Sequence, residues 1–483
     1  MNILQVSTVD VGGGAEKAAW NLFQAYRARG HNSWLAVGSK RSNDSGVMVI
    51  SDNSRATPWD RFCRTLGQKV ERLDGRVQGL WRVARACKHP RREVENWLGI
   101  ENFSYPGTRQ IIDMTPQRPN IVHCHNLHGG YFDLRALPWL SQQAATILTL
   151  HDAWLLSGHC AHSLDCERWK IGCGHCPDLS IYPAIQRDAT AYNWRRKQAI
   201  YAQSRLYIST PCQWLMRKVE QSVLAPAVVE ARVIPNGLDL SVFHPVNKQA
   251  VRAVLGIPQG TRVLLSIANG IRRNVWKDYQ TLRNAIALVV ERIDRRDVLF
   301  IALGEDAPAE RIGQAEVRFV PYQKDSEAVA RYYQAADLYL HAARAETFPN
   351  TVLEALACGT PVVATAVGGI AEQVKGLQSV EEGPQNGKLN HYGMTEATGI
   401  LVPAGDAAGM AVGIERLMND HSLLERMGEN AAKDARERFD LQLLFGKQAA
   451  HRPRKQCPGF QVHFSGAMHN DSVRLAFGFH LQY

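Results

Sequence analysis

The stretch Arg344-Ala-Glu-Thr-Phe-Pro-Asn-Thr-Val-Leu-Glu-Ala-Leu-Ala-Cys-Gly-Thr-Pro-Val-Val-Ala364 carries the clearest information about the fold. It follows a short apolar run that we predict to be a strand, and its own last residues, Pro361–Ala364, form the next predicted strand. Between the two, Thr351 and Glu354 have the spacing of a capping box, which predicts that a helix starts there. The stretch is therefore a strand, a loop that carries the acid Glu346, a helix and a second strand.

Short apolar runs and longer amphipathic runs alternate in both directions from this stretch. Most of the short runs are continuously apolar, as is typical of strands that are buried on both faces of a sheet. The predicted strands are Ile3–Ser7, Ser33–Val37, Ile121–His125, Thr146–His151, Leu206–Thr210, Val263–Ala268, Val298–Gly304, Val317–Pro321, Leu338–Ala342 and Pro361–Ala364. The runs between them, for example Ala15–Arg29 and Tyr279–Arg292, have helical spacing, and this order predicts an α/β fold with parallel sheets.

The alternation occurs twice, with a break at Val233-Ile-Pro-Asn-Gly-Leu-Asp239. We therefore predict two Rossmann-like domains, residues 1–233 and 234–443, that face each other across a cleft. In such sheets, ligands bind beyond the carboxyl ends of the strands. In residues 444–483 the apolar periodicity fades, and we predict an atypical tail without assigning a fold to it.

The composition is that of a globular protein. Hydrophobic residues make up 45% and charged residues 21% of the chain, which excludes a disordered, collagen-like or coiled-coil protein. The net charge of +10 permits an acidic partner, such as a nucleotide, a phospholipid or a nucleic acid. The first residues lack the charged region of a signal peptide, so we expect a cytoplasmic protein, either free or peripheral on the cytoplasmic membrane face.

One segment, residues 55–95, departs from the alternation. It holds eleven Lys or Arg residues and five Asp or Glu residues, with apolar residues three to four positions apart. This pattern predicts a basic amphipathic helix. The helix either packs on the first domain with a solvated basic face or contacts an anionic membrane surface.

A glycine-rich turn, Val11-Gly-Gly-Gly-Ala-Glu-Lys17, lies between the first predicted strand and a helix. Glycine lets the backbone approach a ligand closely, and a helix N-terminus favours an anion. The turn does not match the dinucleotide pattern G-x-G-x-x-G. Both a structural turn and a ligand contact through Gly13 and Gly14 remain open.

Two carboxylates, Glu346 and Glu354, lie eight residues apart around a predicted helix start. The amides of that helix start suit a diphosphate, and the carboxylates could hold hydroxyls at both ends of a nucleotide-sugar. In the alternative interpretation, Glu354 is a capping residue and Glu346 is a solvated loop acid.

The pattern Glu346-x7-Glu354, followed by Ala-Cys-Gly-Thr-Pro-Val-Val-Ala, resembles the signature of family 4 retaining glycosyltransferases with the GT-B fold. Other segments resemble the same family in the family's order: Val122–Gly130, Thr149–Asp152, Ile234–Asp239, Gly368–Glu372 and Gly399–Pro403. Thr149-Leu-His-Asp-Ala-Trp154 and the cysteine-rich residues after it are similar to a narrower branch, which builds exopolysaccharides such as colanic acid.

The resemblance implies a retaining hexosyltransferase that takes a sugar from a nucleotide-sugar, with UDP as the first expectation and GDP as the alternative. The implied acceptor is a lipid-linked oligosaccharide in cell-surface or exopolysaccharide synthesis. By the same resemblance, Glu346 contacts donor-sugar hydroxyls near the reacting centre and His151 faces the sugar from the first domain. Taken without the family, the sequence favours a His151 that caps a buried strand.

The resemblance also implies a set of donor-binding residues. Glu354 binds the ribose, while Lys277, with Arg272 or Arg273 as its partner, neutralises the diphosphate leaving group. The remaining candidates are Gly13, Gly14, Thr347, Phe348 and Asn350. Because these cations and a helix start stabilise the leaving group, and because the sequence has no Asp-x-Asp motif, we expect catalysis without a metal cofactor. The family often has Gly where this chain has Pro349.

Four cysteines fall within 17 residues: Cys160, Cys166, Cys173 and Cys176. Their spacing, with one Cys-x-x-Cys pair, suits a tetrahedral zinc site of the closed, structural kind. Nearby histidines are substitute ligands: His159, His162 and His175. Free or redox-active thiols and disulfides are the alternatives.

Three other functions remain open at this point. One is another GT-B enzyme, such as an epimerase or a phosphorylase, and a second is a catalytically impaired relative, suggested by the tail. The third is a basic nucleic-acid-binding protein with a zinc knuckle. We do not expect nucleic acid as a partner, because the basic residues are not interleaved with a recognition motif and the two glutamates would be unexplained.

Overall fold

The computed structural model describes residues 1–51, 90–292, 297–377 and 391–441. Contacts divide these residues into two compact units. The first holds Met1–Thr210 and Leu215–Ile234, and the second holds Pro211–Trp214 and the described residues from Pro235 onward. Most of the predicted basic helix, residues 55–89, and the predicted tail, residues 444–483, lie outside the described residues.

The first unit contains a sheet of seven parallel strands. These are β1 (Asn2–Val9), β2 (Asn32–Ser39), β3 (Val47–Val49), β4 (Ile121–His125), β5 (Ala145–Thr149), β6 (Leu206–Thr210) and β7 (Val228–Val233). Their order in the sheet is β3-β2-β1-β4-β5-β6-β7. Every residue of β4 is buried, as the continuously apolar pattern of the central strands predicts for a sheet that is covered on both faces.

The second unit contains a sheet of nine strands. These are β8 (Arg262–Ile267), β9 (Val298–Leu303), β10 (Glu310–Ile312), β11 (Ala315–Val320), β12 (Leu338–His341), β13 (Val362–Thr365), β14 (Gly376–Leu377), β15 (His391–Tyr392) and β16 (Gly399–Val402). The order is β10-β11-β9-β8-β12-β13-β16-β14-β15. Only the edge strand β10 pairs antiparallel among the described strands of this sheet.

Helices connect the strands of both sheets. They are α1 (Gly14–Ala28), α2 (Pro90–Trp97), α3 (Leu137–Gln143), α4 (Thr190–Tyr201), α5 (Gln213–Glu220), α6 (Lys248–Val254), α7 (Tyr279–Arg292), α8 (Ser326–Ala335), α9 (Asn350–Ala357), α10 (Ile370–Gln373), α11 (Ala407–Asn419) and α12 (His421–Phe439). In α1, Ala19, Phe23 and Tyr26 are buried. Their spacing of three and four residues places them on one helix face, which packs on the sheet.

The core of the second unit lies between its sheet and the helices on it. Strand residues such as Phe300 and Val363 meet helix residues such as Ile286 and Ile414 in one buried cluster. None of the described helices combines the length and the apolarity that a membrane crossing needs. The predicted α/β class with two Rossmann-like sheets is confirmed.

Each sheet has a point where the direction of winding reverses. In the first unit it lies between β1 and β4, and in the second between β8 and β12. The loops after two such neighbouring strands diverge to opposite faces of the sheet, and ligands bind in the crevice between them. The fold thus directs attention to the loops after β1 and β4, and to those after β8 and β12.

Several predicted boundaries are wrong. Strand β5 ends at Thr149, so His151 lies in the loop that follows the strand. Helix α9 begins at Asn350 after Pro349, without a side-chain cap, so Thr351 does not form the predicted capping box. The structure also contains short strands that the apolar runs did not reveal: β3, β7, β10, β14, β15 and β16.

Candidate active site

The loops after β8 and β12 meet at the reversal point of the second sheet. Lys277 and Ala343 form an isolated antiparallel bridge, and the Arg344 N–H donates to the Trp276 carbonyl at 3.0 Å. These backbone contacts place the Lys277 side chain beside Glu346, although the two residues are 69 positions apart.

Lys277, His341 and Glu346 form a compact charged group there. The Lys277 ammonium pairs with the Glu346 carboxylate and lies 3.3 Å from Nε2 of His341. His341 is the last residue of β12 and is 2% exposed. Its Nδ1 lies 3.0 Å from the Tyr339 hydroxyl. Because an ammonium can only donate, Nε2 accepts from Lys277, and Nδ1 carries the proton and donates to Tyr339.

The ionisation states of this group follow from burial and charge. Burial, reinforced by the Lys277 charge, lowers the pKa of His341 to about 4. Burial favours the protonated acid in Glu346, but the Lys277 charge outweighs it and holds the pKa of Glu346 well below its usual range. At neutral pH the site therefore holds an ammonium, a neutral imidazole and a carboxylate.

The Glu346 loop continues into α9, whose first backbone amides have no intrahelical partners, although the Val352 N–H donates to the Pro349 carbonyl at 3.2 Å. Asn350 opens the helix, and its Oδ1 accepts from Asn236 Nδ2 at 2.9 Å. Thr347 is buried, and its hydroxyl has no hydrogen-bond partner among the described residues. A buried hydroxyl without a partner is unfavourable.

Glu354 and Phe348 are both buried. Glu354 lies inside α9, is 6% exposed, and accepts a hydrogen bond from the buried Tyr333 hydroxyl at 3.1 Å. Glu354 is thus not a capping residue. The Phe348 ring is buried and packs edge-on against Phe439, with ring centroids 6.1 Å apart, so only its backbone can face a ligand.

The two candidate arginines lie apart from the Lys277 group. Arg272 and Arg273 are both exposed, and neither makes a contact with Lys277 or Glu346 among the described residues. The Arg272 guanidinium lies 5.5 Å from the centroid of the Phe319 ring. The structure thus does not choose between Arg272 and Arg273 as the partner of Lys277.

In the first unit, His151 ends a chain of hydrogen-bonding side chains. Nδ1 of His125 lies 3.1 Å from Nε2 of His151, and Nε2 of His125 lies 3.1 Å from the Gln5 carboxamide. The Gln5 oxygen accepts from the Phe23 N–H at 2.7 Å, and its nitrogen donates to the Ala19 carbonyl and to His125. His125 therefore accepts at Nε2, donates from Nδ1 to His151, and leaves the His151 proton on Nδ1.

The residues beside His151 fix its loop. Asp152 binds Nε2 of His128 at 2.8 Å and accepts from the Trp154 N–H at 2.9 Å. Burial opposes the charge on His128, but the Asp152 carboxylate raises the pKa of His128. Burial lowers the pKa of His151 to about 4, so this histidine is neutral.

The glycine-rich turn forms the start of α1 at the reversal point of the first sheet. Gly13 is the residue before the helix and Gly14 is its first residue, and both are exposed. Neither has a positive φ. The carboxylate of Glu16 lies in the first turn, where a Cβ on Gly13 would be 3.2 Å from its Oε2. The helix start therefore already has an acidic neighbour.

The four cysteines of the predicted zinc site lie together on one cavity of the first unit: Cys160, Cys166, Cys173 and Cys176. All four are free of disulfides. In the described part of the chain, no three His, Cys, Asp or Glu side chains already form a metal-binding group.

Sequence reasoning missed His341, Tyr339 and Tyr333 in the second unit, and Gln5 and His125 in the first. Two of these residues could have been found from the sequence, because His341 and His125 each end a buried strand next to a reversal point. The other three contribute through hydrogen bonds made in the folded chain, which spacing along the sequence does not reveal.

Two family models match the chain. Residues 12–242 match the model described as "Glycosyltransferase Family 4". Residues 247–434 match the model described as "Glycosyl transferases group 1".

Curated relatives agree with these matches. The chain is 32% identical to D-inositol 3-phosphate glycosyltransferase 2 of Catenulispora acidiphila over 361 residues, which cover 70% of this chain and 73% of that protein. It is 25% identical over 263 residues to WcaC of Escherichia coli K12, a glycosyl transferase named for colanic acid biosynthesis. That match covers 51% of this chain and 60% of the relative's length.

Solved structures share the fold. Anabaena HepE in complex with UDP aligns with a TM-score of 0.58 at 16% identity, covering 91% of this chain and 96% of that one. Sucrose-phosphate synthase from Thermosynechococcus elongatus aligns with a TM-score of 0.56 at 20% identity, covering 92% and 96%. Together with the family models and the relative at 32% identity, this likeness shows that the chain belongs to the group 1 and family 4 glycosyltransferases with the GT-B fold.

Proposed function

We propose that this glycosyltransferase moves a sugar from a nucleotide-sugar to a lipid-linked saccharide and retains the anomeric configuration. The proposed nucleotide is UDP, and GDP is the alternative. The Lys277–His341–Glu346 group at the reversal point of the second sheet is the observation that carries the proposal. It combines a cation for a diphosphate with a carboxylate for sugar hydroxyls.

Breaking the bond between the sugar and the diphosphate places negative charge on the leaving group. In the proposed reaction, Lys277 and the free amides at the start of α9 stabilise that charge. The neutral His341 accepts from Lys277 and leaves the remaining ammonium hydrogens for phosphate oxygens and Glu346.

Glu346 has the second proposed role. Its carboxylate is ionised and pairs with Lys277, so a diphosphate that enters would compete for the same ammonium. We infer that donor binding frees Glu346 to accept from hydroxyls of the sugar. The hydroxyl of Thr347, buried without a partner among the described residues, would complete the set of donor contacts.

Glu354 is proposed to bind the ribose. One of its oxygens accepts from Tyr333, which orients the carboxylate. Its burial makes any hydrogen bond to a ribose hydroxyl stronger than it would be in water.

The lipid-linked acceptor rests on a different observation. The resemblance to exopolysaccharide enzymes lies in the residues from Thr149 to Pro177, and the curated relative WcaC is named for colanic acid biosynthesis. Other relatives are named for D-inositol 3-phosphate, so this compound is the competing acceptor in any test.

Calorimetric titration with a panel of UDP-, GDP- and dTDP-sugars tests the donor site. We expect one nucleotide class to bind the wild type and to lose most of its affinity in Glu354→Ala. Glu437→Ala, an exposed acid on α12, is the matched control and should bind like the wild type. A well-folded wild type that binds none of these donors would contradict the proposal.

Product analysis tests the reaction. With the matching donor and a lipid-linked saccharide, we expect a new glycoside whose anomeric configuration, read by NMR, equals that of the donor. An inverted product would contradict retention. Transfer to D-inositol 3-phosphate alone would replace the proposed acceptor, and an epimerised sugar without any acceptor would indicate another GT-B enzyme.

A further inference from the structure

A small cavity in the first unit is lined by the four sulfur-bearing side chains of Cys160, Cys166, Cys173 and Cys176. The cysteines come from two loops that follow β5, and none of them is in a disulfide. The proposed transfer reaction uses none of these residues. Four thiols on one cavity therefore need an explanation of their own.

The backbone turn before Cys176 has an unusual conformation over four consecutive residues. Gly172, Cys173, Gly174 and His175 have consecutive positive φ angles of 137°, 55°, 88° and 48°. Non-glycine residues in this region cost on the order of 1 kcal/mol each. Side chains hold the turn in place, since the Gly174 N–H donates to Thr190 Oγ1 at 2.9 Å and the Cys176 N–H donates to Asp188 Oδ2 at 2.7 Å.

Two of the sulfurs have hydrogen-bond partners at the cavity. The Gly158 N–H donates to Cys173 Sγ at 3.3 Å. His159, which is 1% exposed, has Nδ1 at 3.1 Å from the Pro183 carbonyl, so Nδ1 carries the proton. Its bare Nε2 lies 3.3 Å from Cys176 Sγ.

A positive charge also lies at the edge of the cavity. The Lys218 ammonium is 2.9 Å from Ser163 Oγ and 4.7 Å from the centroid of the Trp169 ring, and both residues line the cavity. A tetrathiolate zinc centre carries two negative charges, which a neighbouring ammonium would partly compensate.

We propose that this cavity binds one zinc ion through the thiolates of Cys160, Cys166, Cys173 and Cys176. Zinc with four protein ligands is a closed, structural site. Binding converts four thiols and Zn²⁺ into a Zn(S–Cys)₄ centre of charge −2 and releases four protons. No metal-binding group is already formed among the described residues, and the proposal therefore requires the sulfurs to move toward the ion as it binds.

His159 lies beside this site. Because its Nδ1 proton goes to the Pro183 carbonyl, its Nε2 can accept from the Cys176 S–H only while that thiol is protonated. In this proposal, the zinc holds the loop that begins after His151 and Asp152. The metal site would thereby fix that loop within the first unit.

Elemental analysis of the full chain, purified without chelators and without added metal, tests the proposal. We expect one zinc per chain in the wild type and close to none in Cys173→Ser and Cys176→Ser. Cys358→Ser removes a buried thiol from the other unit and should keep the zinc. Less than half a zinc per chain in the wild type, or stoichiometric iron, would overturn the proposal.

Two measurements keep the test valid if the cysteine variants do not fold. Exchange of the wild-type metal for Co²⁺ should give the charge-transfer absorption of a four-thiolate site, and His159→Ala should keep both this spectrum and the zinc. Loss of the metal in His159→Ala would show that His159 is a ligand. An intact mass lower by two hydrogens per cysteine pair would show disulfides and overturn the zinc site.

Discussion

Among single residues, Lys277 determines the charge of Glu346. The acid stays ionised because the ammonium lies beside it, and the ammonium is held by the acid and by the neutral His341. The group is therefore arranged for a ligand that brings both negative charge and hydroxyls. A nucleotide-sugar is such a ligand.

Replacing Glu346 with Gln should lower kcat about 100-fold, in the range found when one electrostatic contact to a transition state is lost. The amide keeps the size of the side chain but cannot pair with the Lys277 ammonium as a charge. Steady-state kinetics with the donor identified by titration measure the effect. Glu437→Gln is the control, and wild-type kcat in a folded Glu346→Gln variant would remove Glu346 from the proposed reaction.

Replacing Gln5 with Leu should lower kcat roughly tenfold and leave the KM for the donor nearly unchanged. Gln5 holds the proton of His125 on Nδ1 and thereby the proton of His151 on Nδ1. Without Gln5, both rings also populate the other tautomer. His151 then loses the hydrogen bond that its Nδ1 proton would donate to the reacting sugar, an effect of the order of one hydrogen bond.

The side-chain nitrogen shifts of His125 and His151 report this tautomer directly by NMR. Gln198→Leu, an exposed change on α4, should leave both the shifts and kcat unaltered. Unchanged nitrogen shifts in Gln5→Leu would contradict the positioning role.

At the scale of loops and helices, close backbone contacts hold the Glu346 loop in place. Gly368 has a φ of +57°, and a Cβ on it would lie 1.7 Å from the Glu346 carbonyl oxygen. Next to it, the Gly369 N–H donates to the Thr347 carbonyl at 2.8 Å. The segment before α10 thus supports the loop without any side chain of its own.

Gly368→Ala should destabilise the protein by more than about 2 kcal/mol, because the methyl group meets backbone that cannot move aside without shifting Glu346. Donor binding should be lost with it. Gly260→Ala is the matched control, since Gly260 has a φ of +79° but open space around its Cβ position. Equal thermal midpoints for the two variants would show that left-handed strain, and not the contact with Glu346, accounts for the loss.

These elements also show where sequence patterns succeed and fail. The helix predicted over Tyr279–Arg292 matches α7 at both ends. An apolar stripe on a buried helix leaves a strong periodic signal in the sequence. The start of α9 was wrong because Pro349, with an extended ψ, precedes the helix and shifts its first turn ahead of Thr351. Glu346 was proposed from its spacing to Glu354 and Lys277 from the family resemblance, whereas their meeting depends on the order of strands in the sheet.

For the whole molecule, buried neutral histidines couple stability to pH. His341 binds a proton near pH 6.5 in the unfolded chain but only near pH 4 in the folded protein. Between these values the unfolded state holds more protons, so stability falls as the pH falls through this window. For His341 alone, the loss between pH 7 and pH 5 is about 2 kcal/mol.

His341→Gln should therefore lose less stability than the wild type when the pH is lowered from 7 to 5. Calorimetric unfolding of both proteins at the two pH values measures the difference. His421→Gln changes an exposed histidine on α12, 71% exposed at its side chain, and should behave like the wild type. An equal loss in wild type and His341→Gln would show that His341 is charged in the folded protein.

The alternation of apolar and amphipathic runs was enough to predict the class of fold. It could not reveal edge strands such as β10 and β14, which have two or three residues, because so short a run leaves no periodic signal. The path of the chain was equally hidden. Residues Pro211–Trp214 leave one unit for the other and return, and only the folded contacts show this detour.

That detour matters to anyone who recombines this enzyme with a relative. The Glu372 carboxylate accepts from the backbone N–H groups of Gln213 and Trp214 at 2.7 and 2.6 Å, and both residues precede Pro235. A chimera joined at Ile234 would graft one parent's Glu372 onto the other parent's tetrapeptide. A viable exchange of donor specificity must carry Pro211–Trp214 together with the later residues, as two inserts and not as one.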